Sequence, residues 1–159
     1  MAPSSQQSAV LADVRMPDGS AVDIVMRDGL IESIEPNAPE AAAGLPVIGG
    51  RGLLVLPGLV DGHAHLDKTL VGLPWMPHKA GPERMSRIET ERELRASLPP
   101  VAERAAALVS RCIEFGTTAI RTHVDIDPDI GLAHLHAVLD VKQCFATQVD
   151  IEIVAFPQS

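Results

Sequence analysis

The sequence has 159 residues, of which 46% are hydrophobic and 21% are charged, and its formal net charge is −8. This composition is typical of a globular protein with a buried core, and the acidic charge disfavours nucleic acid or an anionic membrane as the main partner. Only 3% of the residues are aromatic, which also disfavours a base-stacking surface for single-stranded nucleic acid.

Residues 1–8 predict a mobile tail. They contain neither the basic nor the apolar region of a secretion signal. The chain has no apolar run of ~18 residues, the length of a membrane-spanning helix. We therefore expect a cytoplasmic protein without a membrane partner. Cys112 and Cys144 each lie in an apolar helical pattern, which favours buried thiols over a disulfide or a pair of ligands.

Residues 1–52 predict a first domain, a small antiparallel β unit that follows the tail. Three short segments with alternating apolar residues, at 9–15, 20–27 and 30–34, are separated by turn residues. Asp28-Gly29 between the last two segments is a strong hairpin signal. Residues around 47–48 predict one more short strand after a loop. We interpret this domain as a packing module without chemistry of its own.

Residues 53–159 predict a second domain, in which strands and helices alternate. An apolar strand begins at Leu53, breaks at Pro57-Gly58 and leads into His63 and His65. The elements expected after it are three helices and two strands, in chain order at 83–97, 99–115, 117–125, 132–145 and 150–156. Such alternation predicts βαβ units around a parallel sheet, and therefore the α/β fold class.

Polar side chains stand at the end of each predicted strand in this second domain. They are His63, His65, Asp67, Arg121, His123, Asp125 and Gln158. Alternation along a strand puts His63 and His65 on one face, and two imidazoles at positions i and i+2 can bind one divalent ion. Functional residues gather where parallel strands end, so these positions predict an active-site rim.

Several of these residues have alternative roles. Asp67 could orient a histidine or cap the following turn, and His123 could contact a ligand or pack behind it. Arg121 and Asp125 are more often a structural ion pair, and Lys68, which has the opposite parity, is interpreted as an exposed lysine. The remaining histidines are interpreted as surface or loop residues: His78, His134 and His136.

Five segments together resemble a known family. D-I-V-M-R-D-G-L-I-E-S-I-E-P, followed by L-P-G-L-V-D-G-H-A-H-L-D-K-T, is similar to the N-terminal signature of the amidohydrolase superfamily. I-R-T-H-V-D-I-D, L-D-V-K-Q and V-D-I-E-I-V-A-F-P-Q, in that order, resemble its cytosine deaminase-like branch. The resemblance covers residues 22–159, nearly the whole chain.

The resemblance implies a (β/α)8 barrel preceded by a small β-sandwich module. It implies that His63 and His65 bind one divalent metal ion, iron or zinc, and that Gln158 is a substrate-binding amide. Asp67 and His123 would be supporting residues around that site. The implied reaction is hydrolytic deamination of an amino-substituted heterocycle, such as a cytosine-like pyrimidine, by a metal-activated water. The enzyme would thus be a hydrolase acting on C–N bonds other than peptide bonds.

The resemblance assigns no catalytic acid or base to this chain, because it places those residues beyond Ser159. A complete (β/α)8 barrel needs about 250 residues, and residues 53–159 predict about three strands and two intervening helices. We therefore expect an inactive fragment that forms oligomers or needs the missing C-terminal portion. Two alternatives stay open: one subunit of a split amidohydrolase, and a non-catalytic α/β binding protein.

Overall fold

The computed structural model divides the chain into two compact units, residues 1–57 and 58–159. It describes three ranges of the chain: 8–38, 42–77 and 79–157. Residues 1–7 of the predicted tail, the predicted surface histidine His78 and the candidate residue Gln158 lie outside the described residues. Across the described ranges, no helix is long and apolar enough to cross a membrane.

The first unit contains a four-stranded sheet in the order β3-β2-β1-β4. Its strands are β1 (Ala9–Arg15), β2 (Ala21–Arg27), β3 (Leu30–Glu35) and β4 (Val47–Leu54). The β1–β2 and β2–β3 pairs are antiparallel, as predicted, but β1 and β4 are parallel. The prediction of a wholly antiparallel unit is therefore wrong for β4, because the long connection after β3 returns the chain to the end where β1 begins. The second sheet of a β-sandwich stays a prediction.

The boundary between the units lies five residues beyond the predicted one. β4 continues through Leu53 and Leu54, which pair with Val14 and Arg15 of β1. The strand predicted to run from Leu53 to His63 is thus two strands that belong to different sheets. Its break at Pro57 marks the change of sheet, because proline cannot donate a hydrogen bond to a strand ladder.

The second unit contains a three-stranded parallel sheet in the order β5-β6-β7. Its elements are β5 (Leu59–Ala64), α1 (Arg84–Arg95), α2 (Val101–Glu114), β6 (Thr117–Ile126), α3 (Ala133–Cys144) and β7 (Asp150–Pro157). The predicted alternation and the α/β class are confirmed. Closure into a (β/α)8 barrel stays a prediction.

One apolar core joins α2 and α3 to the sheet of the second unit. Its buried members are Leu66, Ala105, Val109, Ile120, Val124, Val138, Val141, Val149 and Ile151. Apart from Leu66, which follows β5, and Val149, which precedes β7, these residues come from the apolar stripes of the helices and from alternate positions of β6 and β7, as periodicity predicts. Cys112 is half-buried, but Cys144 is exposed, so the prediction of a buried thiol is wrong there: Cys144 ends α3, beyond the last buried residue, Val141.

Candidate active site

Three histidine rings lie together where β5 and β6 approach their carboxyl ends. His63 belongs to β5, His65 follows its last residue, and His123 belongs to β6. The ring centroids of His63 and His123 are 4.4 Å apart, those of His63 and His65 5.3 Å, and those of His65 and His123 5.7 Å. The structure thus brings together three of the residues that the sequence singles out.

Strand register explains why these rings meet. Ala64 of β5 pairs with Thr122 of β6 in the parallel ladder, and Thr122 is completely buried. Because side chains alternate along a strand, His63 and His123 point to the face opposite Thr122, away from the core under the helices. His63 is exposed on that face, while His65 and His123 are half-buried.

The environment of His123 favours its neutral imidazole. Partial burial, together with the positive charge that His63, His65 and Arg121 can carry, holds the pKa of His123 below its ordinary value. The His65 and His123 rings each make a T-shaped contact with Phe156 of β7, with centroid distances of 6.2 and 6.1 Å. Neutral imidazole is the form that binds a metal ion.

The donor atoms of the cluster fit one side of a metal site. Nδ1 of His65 and Nδ1 of His123 are buried and have no hydrogen-bond partner in the described part of the chain. Buried ring nitrogens are normally paired with protein, water or an ion. The set is incomplete, however, because no group of three or more His, Cys, Asp or Glu side chains within the described ranges is arranged to hold an ion.

Asp67 points away from the three rings. Its Oδ2 accepts hydrogen bonds from the Asp125 N–H at 3.0 Å and from His134 Nδ1 at 3.2 Å. Burial acts to raise the pKa of Asp67, but these hydrogen bonds outweigh it and hold the pKa below its usual range. The histidine that Asp67 contacts is therefore His134, which is buried rather than on the surface as predicted, because the first turn of α3 faces the sheet.

Lys68 and Arg121 also differ from their predicted roles. Lys68 is half-buried, and its Nζ lies 2.7 Å from Asp125 Oδ2 and 3.1 Å from Glu91 Oε2. Arg121 pairs instead with Glu152 of the neighbouring strand at 2.9 Å. The predicted pair of Arg121 and Asp125 is wrong because residues four apart in a strand are separated by ~13 Å.

Sequence reasoning missed one more buried charge, Arg104 of α2, which is 5% exposed. It occupies a position of the apolar stripe formed by Val101, Ala105 and Leu108, where a charged residue is unexpected. An arginine at a core-facing position was the signal that could have found it, since charged residues are almost never fully buried unless their donors are bound.

Known proteins share this arrangement of strands and helices. N-isopropylammelide isopropylaminohydrolase from Burkholderia multivorans ATCC 17616 is 42% identical, with a TM-score of 0.85 over 96% of this chain and 38% of that one. The 5-methylcytosine deaminase of Klebsiella pneumoniae is 32% identical, with a TM-score of 0.69 over 92% of this chain and 36% of that one. Pterin deaminase of Rhizobium rhizogenes is 32% identical over 146 residues, 85% of this chain and 31% of that protein. No family model matches the chain.

These similarities and the paired histidines at the end of a parallel strand identify the class. The chain belongs to the amidohydrolase superfamily. It spans about a third of the length of the curated relatives it matches. By their names, the three proteins described above are an aminohydrolase and two deaminases.

Proposed function

We propose that this chain supplies the metal-binding strands of a hydrolase that removes an amino or substituted amino group from a heterocycle. The observation that carries the proposal is the convergence of His63, His65 and His123 at neighbouring strand ends. The names of the relatives support the reaction class, a hydrolysis of C–N bonds other than peptide bonds. The particular ring, a cytosine-like pyrimidine or a related one, belongs to this proposal.

We assign His63 and His65 as ligands of one divalent metal ion, iron or zinc. When bound, such an ion supplies Lewis-acid activation of water in hydrolases of this kind. The two imidazoles would hold the ion. His123 and Phe156 form the adjoining wall, and Gln158 is assigned to the substrate.

Hydrolytic deamination also needs a base near the water and an acid for the leaving group. The carboxylates that end β5 and β6 are already engaged: Asp67 binds His134, Asp125 binds Lys68, and Asp127 binds Arg95. We therefore assign no catalytic acid or base to the described residues. Further chain, or a partner subunit of a split enzyme, would have to contribute these groups.

Metal binding by single-histidine variants tests this proposal. We expect the purified chain to bind zinc or ferrous iron weakly at one site, as measured by calorimetry and by metal analysis after gel filtration. His63→Ala and His65→Ala each remove a ligand and should abolish that binding. His136→Ala is the matched control, because His136 is exposed on α3 outside the cluster. Equal metal content in all three variants would overturn the assignment.

A split enzyme is the second candidate, and the exposed apolar side chains of β5 favour it. Leu59 and Val60 are 53% and 71% exposed, although the strands of parallel sheets are normally buried on both faces. A protein that copurifies in equal amounts and brings ammonia release from an amino-substituted heterocycle would select this candidate. Ammonia release by the isolated chain would contradict the assignment of acid and base to other segments.

A further inference from the structure

The buried guanidinium of Arg104 binds the backbone that follows β5. Nη2 donates to the Asp67 carbonyl oxygen at 3.0 Å, and Nη1 donates to the Thr69 carbonyl oxygen at 2.5 Å. Nε donates to the carbonyl oxygen of Pro99 at 3.0 Å. A buried arginine is usually paired with a carboxylate, whereas these three hydrogen bonds go to main-chain oxygens. Arg104 therefore holds a particular backbone conformation.

Two more buried hydrogen bonds fix the same stretch of backbone from the side of β6. The Leu66 N–H donates to Thr122 Oγ1 at 3.0 Å. Asp67 Oδ2 accepts the hydrogen bond from the Asp125 N–H at 3.0 Å. Leu66, Asp67, Thr122 and Asp125 are all at most 1% exposed, so water does not compete for these groups. The backbone directly after His65 is thus fixed by side chains from both neighbouring elements.

Side-chain bonds are needed here because the strand ladder has already ended. The last paired position of β5 is Ala64, opposite Thr122, and the register shifts between Asp61 and Ala64. His65 therefore lies one residue beyond the regular pairing. Its ring direction depends on the backbone that follows, and Arg104 and its neighbours determine that backbone.

We propose that Arg104 is a positioning residue for the metal ligand His65. By holding the Asp67 and Thr69 carbonyl oxygens, its guanidinium fixes the backbone after His65 and so aims the imidazole at the ion. The inference rests on the proposed role of His65. A metal site needs its ligands within about 0.5 Å of the productive geometry, and residues that orient ligands typically change metal affinity 10–100-fold when mutated.

The planar fork of arginine suits this role better than lysine. Its five N–H donors lie in one plane and can reach several carbonyl oxygens at once, whereas a lysine ammonium is a compact point charge. The Arg104→Met variant retains most of the apolar stem and removes every donor. The Arg104→Lys variant restores charge and some donors, so it should recover part of the effect.

Zinc affinity, measured by competition with a coloured chelator, is the first readout. We expect Arg104→Met to weaken zinc binding by the chain about 10–100-fold, with an intermediate value for Arg104→Lys. Arg111→Met is the matched control on the same helix, because Arg111 is exposed and pairs with Glu114 at 2.6 Å on the helix surface. Its affinity should equal that of the original chain.

Hydrogen exchange of the metal-free chain separates positioning from general stability. Arg104→Met should speed exchange in peptides that cover residues 64–69, while peptides from the first unit keep their original rate. Val109→Ala removes buried apolar volume from the same helix and keeps every hydrogen bond that Arg104 makes to residues 67 and 69, so it should lower the unfolding free energy but leave zinc affinity unchanged. An equal loss of zinc affinity in Val109→Ala would show that Arg104 acts only through stability, and would overturn the inference.

The remaining outcomes are also decisive. If the original chain binds zinc and a folded Arg104→Met variant binds it equally well, the inference is wrong and the metal assignment stands. If the original chain and His65→Ala both fail to bind zinc, the proposed function itself is wrong. Should Arg104→Met fail to fold, Arg104→Lys replaces it, since a lysine cannot reproduce the planar fork of donors; zinc affinity equal to that of the original chain in that variant would overturn the inference.

Discussion

The carboxylates at the end of β6 differ from those of a typical acidic surface because they bind cationic side chains of the same chain: Asp125 binds Lys68, and Asp127 binds Arg95. Asp127 is the clearest case: its Oδ2 accepts a hydrogen bond from Arg95 Nη1 at 3.0 Å. Its Oδ1 accepts two more from the N–H groups of Asp129 and Ile130, at 2.8 and 3.1 Å. Burial raises the pKa of Asp127, but these three donors together hold it below its ordinary value.

That lowered pKa predicts a pH dependence of stability. A carboxylate with a lower pKa in the folded state contributes stability above its unfolded pKa of about 4, and this contribution disappears as the pH falls through the folded value. We expect Asp127→Asn to lower the unfolding free energy by about 1–3 kcal/mol at pH 7. The difference from the original chain should shrink below pH 4 in urea titrations.

Equal destabilisation by Asp127→Asn at pH 7 and pH 3 would contradict this account. Asp140→Asn is a suitable control, because Asp140 is exposed on α3 and makes none of these bonds. Its unfolding free energy should stay within about 0.5 kcal/mol of the original at both pH values.

Single-residue predictions succeeded where a strand was regular and were wrong where it was not. Parity along β5 put His63 and His65 together, and their ring centroids are 5.3 Å apart. The same parity grouped Asp67 with His63 and left Lys68 outside, but β5 ends at Ala64, and alternation has no meaning in the turn that follows. The buried contacts of His134 and Arg104 depend on how helices pack on the sheet, which a linear pattern does not contain.

At the scale of elements, α1 differs from the other two helices. Among its described residues only Ile88 is buried, and it contributes nothing to the apolar core of the unit. Ion pairs join it to the segments after β5 and β6: Glu91 with Lys68 at 3.1 Å, and Arg95 with Asp127 at 3.0 Å. Charges of opposite sign therefore contribute more to holding this helix than they do for α2.

Such a helix should loosen in salt. At 1 M ionic strength the screening length falls to ~3 Å, compared with ~10 Å at 0.1 M, and exposed or half-buried ion pairs weaken. We expect hydrogen exchange in residues 84–95 to accelerate several-fold at 1 M sodium chloride. Exchange in α2, which buries Ala105 and Val109, should change little. Equal protection of the two helices at both salt concentrations would show that apolar contacts hold α1.

The sequence was sufficient to locate the elements, but not to assign every strand to its sheet. Apolar periodicity predicted α2 and α3, and a charged segment predicted α1, each to within a few residues. Leu53 and Leu54 look equally suited to either unit, and only their pairing with β1 decides between them. Strand pairing is a contact between positions distant in sequence, and a single sequence does not show which distant positions are in contact.

At the scale of the whole molecule, each unit leaves large apolar side chains in contact with water. Leu30, Ile31 and Leu53 of the first unit are 73%, 63% and 69% exposed, and Val60 of the second is 71% exposed. Isolated exposed apolar residues are common, but runs of them on strand faces and edges favour association. Further chain or other molecules would be expected to cover them.

We therefore predict that the purified 159-residue chain associates in solution. Light scattering after gel filtration should give a mass above the 16.9 kDa of one chain, rising with concentration. Val60→Lys should reduce this association, because it puts a charge on β5, an edge strand of its sheet. A monodisperse monomer with cooperative unfolding would contradict the prediction and favour a self-sufficient, non-catalytic binding protein.

The order of strands in the second unit has a consequence for how the protein is made. β5, β6 and β7 lie side by side in the same order in which they occur in the chain, so each new strand is added to an edge that already exists. During synthesis on the ribosome, β5 and β6 can pair, with α2 covering them, before β7 has emerged. The N-terminal parts of a chain can fold first during translation. The paired histidines would then be assembled with His123 early, while the nascent chain is still growing.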